Sequence, residues 1–143
     1  MDLPSWYTNV STLPSAPDDF VGLNYRFEGR QGDSFRENIK TLQSTAEFRA
    51  LEYALNKGGI KTVIINGSGF GNAWLPDNKS PAIYNRRLNH ETAMITVSPT
   101  RTVQLDDGRM VSREELIFHE MAHDLRGENE KRLSGQHVVR LTN

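Results

Sequence analysis

Apolar and polar positions alternate from Val21 to Phe27, with Val21, Leu23, Tyr25 and Phe27 set against Gly22, Asn24 and Arg26. A period of two predicts a half-buried strand. Gly29 to Asp33 breaks it. The period then lengthens. Phe35, Ile39 and Leu42 fall at helical spacing, and so do Phe48, Leu51 and Leu55. Ser34-Phe35-Arg36-Glu37 and Ser44-Thr45-Ala46-Glu47 each have the form of a capping box, and Gly58-Gly59 supplies a stop. The pattern predicts two helices or one kinked helix. Thr62-Val63-Ile64-Ile65, within Lys61–Asn66, is a β-branched run that predicts a central strand. Ala93 to Val97 predicts another strand, closed by Ser98-Pro99. Asp106-Asp107-Gly108 lies between Thr102–Leu105 and Arg109–Val111 and predicts a hairpin.

Elsewhere the pattern is polar. Residues 1–19 carry Pro4, Pro14 and Pro17 among Ser, Thr and Asp, which predicts a flexible lead-in to a domain over residues 20–143. Gly67-Ser68-Gly69-Phe70-Gly71 follows a strand as a phosphate-binding loop would. Such a loop needs a helix immediately after it, and Pro76, Asp77, Asn78 and Pro81 stand there instead, so a surface loop is expected. Asn72 to Glu91 is expected to be a long loop framing a cleft, with His90 a surface histidine. After Gly127, a short helix from Glu128 to Leu133 is expected before Gly135.

The last strong periodic stretch carries the chemistry. Ser112-Arg113-Glu114-Glu115 is a third capping box, and Val111 and Leu116 stand at the two positions of a hydrophobic staple. Gly127 suits the C′ stop, so a helix is predicted from about Arg113 to Arg126. On its wheel Ile117, Phe118, Met121, Ala122 and Leu125 share one broad apolar face. Leu116, His119, Glu120 and His123 cluster on the other. His119-Glu120-Met121-Ala122-His123 has the form H-E-x-x-H, the two-histidine zinc motif of metallopeptidases. A helix turns about 100° per residue, so side chains four apart stack on one face. Two imidazoles so placed can share one Zn²⁺. Glu120 lies one step round and can reach a water on the metal without ligating it.

A catalytic zinc usually takes three protein ligands. Counting three residues past Gly127 reaches Glu130. Glu128 and His137 are the alternatives, and all three stay open. Tyr84, Arg126 and His137 are candidate oxyanion stabilisers.

Composition narrows the chemistry. At 143 residues the chain fits one domain with a proper core. The formal net charge of −1 with 24% charged residues argues against a nucleic-acid or membrane-surface partner. Without cysteine, any zinc must be held by imidazole and carboxylate. The N-terminal stretch lacks the basic start and apolar core of a conventional secretory signal.

The order of elements from Lys61 onward resembles the effector-type zincins, which are small bacterial zinc metallopeptidases. The residues that carry the resemblance are Ile95-Thr96-Val97-Ser98-Pro99, Asp107-Gly108, His119 to His123, and Glu128-Asn129 with Arg132 and Gly135. In members of the family a longer segment often separates the zinc helix from the Glu-Asn element than it does here. The resemblance implies that His119 and His123 hold zinc and that Glu120 activates water. It implies an endopeptidase acting on a protein substrate, delivered into another cell by a secretion apparatus, with or without a chaperone. The expected fold is α+β and zincin-like: a small mixed sheet, a helical pair and the H-E-x-x-H helix, in a monomer. Two other functions fit the chain. One is a non-catalytic effector or adaptor with a structural metal or none. The other is a cytoplasmic peptidase that regulates its own cell.

Overall fold

The structure is a computed structural model that describes residues 13–29, 31–67, 82–98, 103–104 and 107–122. Among the described residues it is an α+β fold with one four-stranded sheet, a separate two-stranded hairpin and three α-helices.

The first strand, β1, runs Asn24–Glu28. It starts later than its alternation predicts. Gly22 takes φ +92, a left-handed turn that ends the extended chain, and Val21 is left 93% exposed. Leu23 is buried, and Tyr25 and Phe27 pack against the core as the alternation requires.

Helices α1 (Arg36–Gln43) and α2 (Ala46–Lys57) follow as two separate helices. The predicted cap at Ser34 is not made. A 3-10 turn over Gly32–Phe35 precedes α1, and the Ser34 hydroxyl donates back to the Gln31 carbonyl at 2.6 Å. The second cap sits one residue later than a box starting at Ser44 would place it. Thr45 Oγ1 accepts from the Phe48 amide at 3.2 Å, while Ser44 closes α1. The stop at Gly58-Gly59 forms as expected. The Ile60 amide reaches back to the Leu55 carbonyl at 3.0 Å, across Gly59 at φ +105.

Strand β2 (Thr62–Asn66) is parallel to β1 and is central, as its β-branched run predicts. The α1–α2 crossover carries the chain back to the same end of the sheet, which a parallel pair requires. At the end of β2, Gly67 lies so close to the turn before α1 that a Cβ there would come within 2.7 Å of the Gly32 nitrogen.

Part of the expected loop over Asn72–Glu91 is strand. Ala82–Asn89 forms β3, antiparallel to β4 (Thr92–Val97) through a turn at His90 and Glu91. The turn is fixed by the Glu91 amide donating to Asn89 Oδ1 at 2.8 Å, and His90 is exposed as expected. The run is polar because β3 is an edge strand with register shifts at Tyr84/Arg86 and Arg87/Asn89. The sheet order is β1-β2-β4-β3, with β1, β2 and β4 parallel.

The predicted hairpin forms as β5 (Val103–Gln104) and β6 (Met110–Val111). It feeds directly into α3, described over Arg113–Ala122. Val63, Ile65, Ala93, Ile95 and Val97 line one sheet face and form a single core with residues of α1, α2 and α3. Register places Arg26, Ile64 and Met94 on the opposite face. No helix among the described residues is long and apolar enough to cross a membrane.

One polar cluster interrupts this core. Glu52 of α2 is fully buried. Its Oε2 accepts from the Leu23 amide (3.1 Å), the Tyr25 hydroxyl (2.7 Å) and Gln43 Nε2 (3.2 Å), while Oε1 has no hydrogen-bond partner among the described residues. The cluster ties the chain entering β1 to both helices of the pair. Nearby, Arg49 donates to the Pro17 carbonyl at 2.9 Å and Phe20 packs edge-on against Tyr53. The described part of the lead-in is thus held along α2.

Tyr25 keeps some surface, but its hydroxyl turns inward onto Glu52. Burial raises the phenol well above its ordinary 10.0, and the charge and hydrogen bond of Glu52 add to the shift. A raised folded value means that the native state keeps a proton the unfolded chain gives up. The resulting stability is complete below pH 10 and is lost as pH rises above it. Each unit of upward shift accounts for about 1.4 kcal/mol of that loss. Urea midpoints measured on both sides of pH 10 should fall steeply in the wild type and less steeply in Tyr25→Phe. Equal slopes would remove Tyr25 as the cause.

Candidate functional site

The site is built on α3, and the capping box predicted at its start is complete. The Glu115 amide donates to Ser112 Oγ at 3.1 Å, and the Ser112 amide donates to Glu115 Oε1 at 3.0 Å. Val111 and Leu116, the staple pair, are both buried in the core. The helix therefore begins at a fixed residue, and that fixes the direction of every side chain after it.

Arg109 strengthens this start, and the sequence reading did not single it out. From the hairpin it grips the Glu115 carboxylate with both guanidinium arms, Nη1 to Oε1 and Nη2 to Oε2, each at 3.0 Å. Planar two-point pairing of this kind gives orientation as well as attraction. Glu115 stands one turn before His119, on the line that a metal ligand would follow. Its oxygens are occupied by Arg109 and the Ser112 amide, so it serves as a cap. The available signal was an arginine directly after a hairpin glycine and six residues before the box glutamate. A second tie comes from α1, where Asn38 Nδ2 donates to Glu114 Oε2 at 2.7 Å. Burial lowers the Arg113 guanidinium from its usual range, and Glu114 opposes that shift.

The two faces of α3 do not divide as the wheel predicts. Every residue from Glu115 to Ala122 is buried. Leu116 joins the core, His119 is 3% exposed and Glu120 is 0% exposed. The wheel shows which residues share a face, but it does not show what lies above that face. Neither His119 nor Glu120 is without a partner. Phe118 packs on Phe48 of α2 with ring centroids 5.9 Å apart.

Zinc suits these donors in kind: with no cysteine in the chain, imidazole and carboxylate remain. Of the predicted site residues, His119 and Glu120 are described and lie together on α3. His123, Arg126, Glu128, Glu130 and His137 lie outside the described residues. Among the described residues, no group of three His, Cys, Asp or Glu side chains is gathered closely enough to hold a metal ion. Tyr84 lies on β3 in register with Ile95. The helix packs beneath β3 and β4.

Comparison with protein-family models, curated proteins and solved structures returned no match.

Proposed function

We propose that the chain is a zinc-dependent endopeptidase of zincin-like build. The observation that carries this reading is the buried His119–Glu120 pair on a doubly fastened helix, inside an H-E-x-x-H sequence. Two histidines and a downstream carboxylate would hold the metal: His119, His123 and Glu130, with Glu128 and His137 as alternatives to Glu130. Bound zinc would supply Lewis-acid polarisation of the substrate carbonyl and an acidified water. Glu120 would take the proton from that water and pass it to the leaving amine. The fixed start of α3 would hold Glu120 in place for both transfers.

The position of β3 supports a peptide substrate. Among the described residues β3 pairs only with β4, so its other edge can take an extended chain as an added strand. The regular stretch Ala82–Tyr84 lies before the first register shift. Delivery into another cell, as the family resemblance implies, belongs to the same proposal.

The depth of Glu120 also favours a second reading, in which the metal is structural and closed to water. Two measurements separate the cases. Zinc content after dialysis should be near one per chain in the wild type and should drop in His119→Ala. A peptide-library digest read by mass spectrometry should show zinc-dependent cleavage. A folded wild type that retains no zinc would end both readings, and one that retains zinc without cutting any peptide would leave the structural one.

A further inference from the structure

The edge of the sheet farthest from α3 has properties that its opposite edge lacks. Strand β1 is regular over all five residues and has no bulge, whereas β3 has two register shifts. Edge strands are commonly guarded by bulges, prolines, shortness or charged side chains. β1 has no bulge and no proline, and its two charged side chains, Arg26 and Glu28, are of opposite sign.

The backbone shows which groups are free. The Asn24 amide donates to the Lys61 carbonyl at 2.9 Å, and the Glu28 carbonyl accepts from the Gly67 amide at 2.8 Å. In a parallel ladder both polar groups of one residue point to the same side. Asn24, Arg26 and Glu28 therefore face β2, while the amides and carbonyls of Tyr25 and Phe27 face outward. Among the described residues nothing pairs with that outer edge.

The side chains on the sheet face opposite the core add a second fact. Arg26 and Glu28 lie two apart on that face, with side chains 63% and 41% exposed, and they fold onto each other along the strand. On either side of Phe27 the strand thus has one positive and one negative position.

We propose that β1 is a self-pairing edge, and that its partner is a second copy of this chain in antiparallel register with the two-fold axis at Phe27. That register follows from the two observations together. It sets Phe27 opposite Phe27 of the second copy as a hydrogen-bonded pair, using the outward-facing groups. It sets Arg26 opposite Glu28 of the second copy, and the reverse, at non-hydrogen-bonded positions where facing side chains approach most closely. The two sheets become one eight-stranded sheet with two-fold symmetry. The monomer expected from the sequence is then the dilute state. Five residues per strand make a small interface, so the dimer is weak and depends on concentration. The β3 edges remain at the two outer ends.

The test is sedimentation velocity on the full chain up to about 0.5 mM, with wild type, Arg26→Glu and Glu28→Arg. The wild type should dimerise, and added salt should weaken the dimer. Each single reversal places like charges opposite each other twice and should raise the dissociation constant about tenfold or more. An equimolar mixture of the two reversed chains should dimerise again, because opposite charges then face each other only across the interface. Mixing cannot repair a defect inside one chain, so this arm excludes a merely structural role for the pair. Far-UV circular dichroism checks that each variant is folded. A wild type that stays monomeric throughout, reversals that dimerise like the wild type, or a mixture that stays monomeric would each overturn the proposal.

Discussion

Glu120→Gln is expected to keep its zinc and to lose about 10²- to 10⁴-fold in peptide cleavage, the range for removal of a general base. Glutamine has nearly the shape of glutamate, so the buried slot at 0% exposure stays filled. It cannot accept a proton from water at neutral pH. Under the proposed reading, kcat falls while KM and metal content change little. In Glu120→Ala a buried gap would confound the result, which is why the isosteric variant is preferred. The measurement pairs metal analysis with steady-state cleavage of a peptide found by library digest. A Glu120→Gln protein with wild-type turnover would rule out Glu120 as the base. One that loses zinc as well would assign Glu120 to holding the metal. Arg109→Ala is expected to lower cleavage by a smaller factor, because it loosens the start of α3 that positions Glu120 and leaves the carboxylate itself in place.

Phe118→Ala should be the most damaging change to the fold. The ring is fully buried and packs against Phe48, so it joins the candidate metal helix to α2. Truncating a buried phenylalanine removes its transfer free energy and leaves a cavity, at a cost of about 3–5 kcal/mol. Domains of this size are stable by roughly 5–15 kcal/mol, so the variant should be marginal at best. Urea denaturation followed by circular dichroism measures the loss directly. A change below about 1 kcal/mol would mean that α3 does not dock through this ring. Because Phe118 directly precedes His119, zinc binding should weaken in parallel with folding. In Glu120→Gln the two should separate.

The local signals that could be read are those in which neighbouring residues complete each other. The box at Ser112 and Glu115 needs only residues three apart, and it forms. Gly58-Gly59 ends α2 because Gly59 can take positive φ. The misplaced caps have the same local origin. Ser34 turns its hydroxyl back to the Gln31 carbonyl and Thr45 takes the cap beside Ser44, and sequence spacing cannot decide between a 3-10 turn and a helix start. β3 was missed for another reason. As an edge strand with two register shifts, it needs neither strict alternation nor an apolar run.

The amino-acid sequence by itself determined an α+β chain with a central β-branched strand, a helix pair, a hairpin and a capped helix bearing His119 and Glu120 of the H-E-x-x-H motif. Each of these depends on residues within about one or two turns of one another. Only the tertiary structure decided the sheet order, the burial of both faces of α3 and the gathering of Leu23, Tyr25 and Gln43 around the Glu52 carboxylate. It also decided that Arg109 fastens the start of the helix and that β1 and β3 are the two edges. The physical reason is range: a cap or a turn is closed by neighbours along the chain, whereas burial, ion pairing across elements and strand order depend on which distant segments meet.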